Sequence, residues 1–173
     1  MYIDVDPSII TKLTPPLFST SPPEAILNKN SGLLGICGHS DMREIISILH
    51  SQDQSNEDKK EKLRRCQLAL DMYCYRIAKY IGAYFVSLDG IDAIVFSGGV
   101  GENSLEVRRD VTKRLQCLGI YIDDQKNEEV GSKLKSEKLM NISGKRSSIQ
   151  TFVIQTDEEG EIARITFNVL EQY

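Results

Sequence analysis

Residues 95–104 read V-F-S-G-G-V-G-E-N-S: a hydrophobic run, three glycines in four positions, then an acidic and polar close. A strand, a glycine cluster and a helix start would gather backbone N–H groups and the positive end of a helix dipole at one point. Missing side chains would also let a phosphate or a flat ring come close to the chain. A tight strand-to-helix turn uses the same residues with no ligand at all. The pattern G-G-x-G-E-N overlays neither G-x-G-x-x-G nor G-x-x-x-x-G-K-[ST]. Without a lysine to reach terminal phosphates it is no P-loop.

Two further stretches carry candidate chemistry. S-D-M-R at 40–43 puts an aspartate and an arginine at a helix start, where they could hold a ribose or adenine. An ordinary N-cap with a surface arginine reads the same way. T-D-E-E at 156–159 sets three consecutive carboxylates after a strand. They suit a hard cation such as Mg²⁺, and equally suit a first helical turn whose dipole favours acids. His39 has no nucleophile–base–acid set around it and reads as a turn or surface histidine. Y-C-Y-R-I-A-K-Y at 73–80 reads as core or dimer contact rather than a base-stacking surface.

Elements must hold these stretches in place. All five prolines lie in the first 23 residues. Asp6-Pro7 suits an N-cap and first helical position, leading into Ile9, Ile10 and Leu13. Pro22-Pro23-Glu24 opens a second short helix that ends before Gly32. S-G-L-L-G-I-C-G-H-S at 31–40 is expected to contain a short strand, and a helix follows from Asp41, with Ser40 or Asp41 as its cap. From Ser55 apolar residues recur at helical period through Leu88, predicting one helix of about 30 residues. Its later half is apolar on nearly every side, so it is expected to be buried or packed on another subunit. I-D-A-I-V-F-S-G-G reads as a buried strand. Asn103 and Glu106 have the spacing of a capping box for a helix whose inner stripe is Val107, Val111, Leu115 and Leu118, stopped by Gly119. Residues 120–123 suggest a short strand, 124–146 a polar surface excursion, and 148–156 the last strand. T-D-E-E then caps a helix with Ile162, Ile165 and Val169 inward. Alternating strands and helices favour an α/β layered sheet in a single domain over residues 1–173.

The totals narrow the function classes. The chain has 173 residues, 40% hydrophobic and 27% charged, which is globular in composition. A net charge of −4 argues against a broad nucleic-acid face, because phosphate backbones need a basic surface. Cys37, Cys66, Cys74 and Cys117 form no CxxC pair and read as free, largely buried thiols of a reducing compartment. No apolar stretch approaches the ~20 residues of a membrane span, and no signal core opens the chain, so a cytoplasmic protein is expected.

Together, L-N-K-N-S-G-L-L-G-I-C-G-H-S-D-M-R at 27–43, D-A-I-V-F-S-G-G-V-G-E-N-S at 92–104 with V-R and L-G-I-Y-I-D behind it, and V-I-Q-T-D-E-E-G-E-I-A at 153–163 resemble the C-terminal half of the acetate kinase family, in that family's order. The resemblance implies an RNase H-like nucleotide-binding domain of the acetate and sugar kinase, Hsp70 and actin superfamily. It implies transfer of the γ-phosphoryl of ATP to acetate, reversibly, with Mg²⁺ or Mn²⁺. By similarity Asp41, Met42 and Arg43 would border the adenosine, and Gly99, Val100, Gly101, Glu102 and Asn103 would form a loop against the adenosine and its first phosphate. Glu158 would help position the metal, with Glu159 in support. Family members pair through this half, which makes the long helix a candidate homodimer surface. Ile3 stands where the family has glycine, Cys37 where serine is common, and Gly160 where a large apolar residue is usual. The phosphate-contacting loop, acyl pocket, histidines and arginines of the family's N-terminal half have no counterpart in these residues, so the chain alone is expected to be inactive. A non-catalytic Mg-nucleotide-binding or dimerisation module is the alternative.

Overall fold

In the computed structural model, residues 26–27, 29–51 and 54–171 are described; the expectations placed on residues 6–25 lie outside them. The chain divides into two compact units, one ending at Tyr73 and one starting at Cys74. Each is described by itself.

The first unit opens with α1 (Leu33–Cys37). Here the expected strand is a helix. Five residues between glycines carry no readable period. Gly38, in the left-handed region at φ 80°, closes the turn by donating its N–H to Leu34 O at 2.9 Å. Helix α2 (Met42–Ser51) follows, and its start is held by Asp41, whose Oδ1 accepts from the Arg43 N–H at 2.8 Å. Ser40 is not needed for that bond, and Glu44 pairs instead with His39 at 2.7 Å. Helix α3 (Glu57–Ser87) is the predicted long helix, at 31 residues. Within this unit Met42, Ile45, Cys66, Ala69 and Leu70 make the core. Arg65 Nε pins α1 by donating to Ile36 O at 2.6 Å. Burial pushes the Cys66 thiol up from its usual pKa. Three of the four cysteines are buried as expected, none forms a disulfide among the described residues, and Cys117 is exposed.

The second unit is built on a three-stranded sheet in the order β1-β3-β2, from β1 (Ala93–Phe96), β2 (Leu139–Asn141) and β3 (Gln150–Ile154). β1 runs parallel to β3 with Ile94 opposite Thr151 and Phe96 opposite Val153, and β2 runs antiparallel to β3. Ile94, Phe96, Met140, Thr151 and Val153 are buried, so one face of the sheet meets the helices. Val95 on the other face of β1 is exposed, so β1 is half-buried rather than the fully buried strand expected. Helix α4 (Gly98–Asn103) and helix α5 (Leu105–Arg114) follow β1 directly. Val107, Val111 and Leu115 face inward as expected, and Gly119 at φ 79° ends the 3₁₀ turn Gln116–Leu118. The strand expected at 120–123 reduces to one bridge, Ile122 to Ser143.

The surface excursion at 124–146 is instead largely ordered packing: helix α6 (Asp124–Glu137) and β2 lie within it. Asn127, Val130 and Leu134 are buried at helical spacing, a stripe too narrow to stand out among lysines and glutamates. The last helix, α7 (Glu158–Leu170), buries no residue, and Ile162, Ile165 and Val169 are exposed rather than inward. The later half of α3 buries only Cys74 and Ala78 among the described residues, and Val86 is 78% exposed. No helix among the described residues is long and apolar enough to cross a membrane.

If α6 is core, Val130→Ala should cost about 2 kcal/mol in denaturant unfolding. The neighbouring exposed Glu128→Ala should stay within about 0.5 kcal/mol.

Candidate functional site

The glycine motif is built where β1 ends. Ser97 is extended, and its Oγ donates to Ile154 O at 2.9 Å, joining the ends of the two parallel strands. Gly98 then turns the chain at φ 70°, a conformation that a side chain would strain. Gly101 is small for a different reason: a Cβ there would press on the Phe96 backbone at 3.2 Å. Gly99 has neither constraint, since a Cβ built on it meets nothing within 4 Å.

Helix α4 is only 6 residues long and is held from outside. Glu102 Oε1 accepts three hydrogen bonds: from the Gly98 N–H at 2.9 Å, the Thr156 N–H at 2.9 Å and the Thr156 hydroxyl at 2.8 Å. One carboxylate thereby ties the start of the glycine helix to the first residue of T-D-E-E. At the other end, Arg108 is 1% exposed and spreads its guanidinium over four oxygens. Nη1 donates to Gly101 O at 2.8 Å and Glu102 O at 2.9 Å, and Nε and Nη2 reach Asn127 Oδ1 and O at 2.6 and 3.0 Å. Burial pulls the Arg108 pKa down to about 10, which still leaves a cation at neutral pH. Asn127 Nδ2 donates on to Leu105 O at 3.0 Å.

Asn103 does not cap the next helix. Its Nδ2 turns back to Gly99 O at 2.8 Å, and Ser104 caps α5 by accepting from the Val107 N–H at 3.2 Å. Asn103 and Ser104 are both good caps, and only the length of α4 decides between them.

In T-D-E-E the acids divide. Asp157 is the N-cap of α7, accepting from the Gly160 N–H at 3.1 Å. A Cβ at Gly160 would lie 2.6 Å from the Asp157 carboxylate, which a small rotation of that side chain relieves. Glu158 and Glu159 are exposed, and neither makes an ion pair among the described residues. Among those residues no group of three or more His, Cys, Asp or Glu side chains is placed to enclose a metal. A Mg²⁺ that takes one or two carboxylates and completes its shell with phosphate oxygens and water asks for no more than Glu158 and Glu159 offer.

Asp41, Met42 and Arg43 belong to the first unit. Arg43 folds onto Asp41, with Nη2 to Oδ2 at 2.6 Å and Nε to both oxygens at 3.1 Å. That pairing holds the Asp41 carboxyl below its usual range and raises Arg43. The Arg43 side chain is 89% exposed, on an open cleft of about 610 Å³ shared with His39, Glu44, Ile48 and Lys62. Met42 is buried in the core.

Sequence reasoning brought out the glycines and acids and missed Arg108 and Asn127 as their support. The signal was present: Arg108 falls on the same helical face as Val111, Thr112 and Leu115, where a lone charge requires partners.

A strand passing through glycines into a short helix, in a mixed sheet backed by helices, makes an α/β domain, and its likeness to solved structures puts it in the acetate and sugar kinase, Hsp70 and actin fold class. The chain belongs to the acetokinase family, whose model matches residues 3–164. It is 38% identical over 169 residues to the acetate kinase of Oleidesulfovibrio alaskensis, covering 97% of this chain and 38% of that protein. Its fold matches Porphyromonas gingivalis acetate kinase with TM-score 0.76 at 37% identity, over 96% of this chain and 39% of that one. A propionate kinase from Francisella tularensis matches with TM-score 0.71 at 36% identity, over 90% of this chain and 36% of that one. The chain therefore spans less than half the length of each of these relatives.

Glu102→Ala should remove about 1–2 kcal/mol of stability. Amide hydrogen exchange should speed up at Gly98 and Thr156 more than in the sheet interior. Uniform acceleration would disprove the tether.

Proposed function

We propose that residues 1–173 act as one nucleotide-binding domain, equivalent to the C-terminal half of an acetate kinase. That enzyme would move the γ-phosphoryl of ATP to acetate, or to another short acyl group, and back. In the forward direction a carboxylate oxygen bonds to the γ-phosphorus as the bond from phosphorus to the ADP oxygen breaks. The single observation that carries the proposal is Gly99. Its neighbours in the motif are glycine because the chain itself requires it, whereas Gly99 faces open space where only an outside molecule would feel a side chain.

In this reading Gly99, Val100, Gly101, Glu102 and Asn103 present backbone to the adenosine and its first phosphate. In the first unit Arg43 offers a flat guanidinium face and Asp41 an acceptor suited to a ribose or adenine, and Met42 anchors their helix in the core. Glu102 contributes through its tether, because its carboxylate already accepts three intramolecular bonds. Glu158, supported by Glu159, would hold Mg²⁺ or Mn²⁺ together with phosphate oxygens. The bound ion would neutralise phosphate charge. In-line transfer needs stabilising groups on both sides of the moving phosphoryl. The acyl pocket has no assigned residues here, so in this reading the 173 residues contribute to holding nucleotide and do not complete the chemistry.

Exposed Tyr75, Tyr84 and Val86 on α3 support a homodimer through that helix. The same surface favours the second reading, a dimerisation module that no longer binds nucleotide.

Calorimetry with ADP and Mg²⁺ separates the two. Gly99→Val should abolish binding while changing Tm little, since a Cβ there meets no atom within 4 Å. Absence of heat from the unaltered chain would favour the dimerisation module. The purified chain should form no acetyl phosphate from ATP and acetate, and robust formation would overturn its assignment as a half-site.

A further inference from the structure

Two loops of the second unit, 119–123 and 143–148, are bound into one rigid piece. The Gly144 N–H donates to Tyr121 O at 2.8 Å, and the Tyr121 N–H donates to Ser147 Oγ at 3.0 Å. The Ser147 N–H closes a tight turn on Gly144 O at 3.0 Å. A Cβ at Gly144 would press on Ile122 O at 3.1 Å, so the loops meet without a spacer. The two central residues of that turn are Lys145 and Arg146, both exposed cations. The Arg146 guanidinium lies 4.0 Å from the centroid of the Tyr121 ring. Stacking holds the guanidinium flat and leaves its N–H edge free for an oxyanion.

Opposite this platform, α5 brings Arg109 and Lys113 to the same cleft of about 700 Å³. Its acids are already engaged. Asp124 bonds Arg109 at 2.8 Å, and Asp123 caps α6 by accepting from the Lys126 N–H at 3.1 Å. Lys113, Lys145 and Arg146 make no ion pair among the described residues, and with Arg109 matched by Asp124 and Asp123 the one further acid, the lining keeps a positive excess in a chain of net charge −4. Such a gathering costs Coulomb energy unless an anion relieves it. Gln116 and Gln125 in the wall offer neutral hydrogen bonds. The cleft shares no lining residue with 98–103 or 156–159.

We propose that this cleft binds a small, multiply charged phosphate compound, a pyrophosphate or phosphomonoester. Arg146 is its forked anchor, and Lys113 and Lys145 are point charges on either side. The volume suits a small metabolite.

The test is a ¹⁵N NMR titration of the full 173-residue chain with inorganic pyrophosphate, at constant ionic strength set by sodium chloride. Saturable shifts are expected at Tyr121, Lys145, Arg146 and Lys113. Arg146→Ala should weaken binding about tenfold, the loss of one charge-assisted hydrogen bond, and Arg146→Lys should recover part of it. Gly99→Val should leave it unchanged. Circular dichroism of each variant should match the parent. Three results would overturn the proposal: a non-saturating drift, equal affinity in Arg146→Ala, or shifts centred on 98–103 that disappear in Gly99→Val.

Discussion

The buried guanidinium of Arg108 is the constraint on which the glycine motif depends. A helix of 6 residues satisfies few of its own backbone groups, and its last carbonyls have no next turn to bond them. Ser104 starts a new helix at once, which leaves Gly101 O and Glu102 O needing donors. Arg108, four residues into that new helix, supplies both from a single nitrogen. Nε and one Nη2 N–H are taken by Asn127 from α6, so the charge is dispersed over oxygens of two elements with no carboxylate among the four. An uncompensated charge at this depth would cost far more than any one of these bonds returns. The network therefore forms fully or not at all, and α4, α5 and α6 take their places together.

Glu102 does the same for the front of the motif. Its carboxylate meets the Gly98 amide, the position where a helix N-terminus favours negative charge, and reaches the end of β3 through Thr156. Two stretches separated by more than fifty residues in sequence are thus fixed to one another by one side chain. Any ligand arriving at Gly99 finds a backbone already positioned. Preorganisation of that kind lowers the ordering cost of binding and makes the open face of Gly99 usable.

Periodicity made α3, α5, β1 and β3 legible, because each repeats an apolar position often enough to exceed chance. It failed for α1, where five residues hold little more than one turn, and for α6, where the buried stripe is three residues wide and one of them is asparagine. In α7 the period is present and the burial is absent: Ile162 is 64% exposed. A hydrophobic stripe records a face that gains from being covered, and says nothing of what covers it. Candidate site residues were visible as types, glycine and acid at strand ends. Their supports were hidden because Arg108 and Asn127 are polar residues at core positions, and a pattern of apolar residues passes over them.

The acids of the site illustrate how structural and chemical roles separate once geometry is known. A cluster reading E-N at one strand end and D-E-E at the other presents four carboxylates that composition cannot rank. Glu102 and Asp157 are engaged by backbone amides through Oε1 and Oδ1, one as a tether and one as a cap. Those bonds already satisfy the helix ends that made the bland reading of these acids reasonable. Glu158 and Glu159 remain in the first turn of α7, fixed by the Asp157 cap behind them and without a bond to the rest of the chain among the described residues. A hard cation shared with a phosphate needs carboxylates of that second kind, with free oxygens on an immobile backbone. The division within T-D-E-E thus follows from the Asp157 cap: the carboxylate that accepts from the Gly160 N–H starts the turn that carries both glutamates.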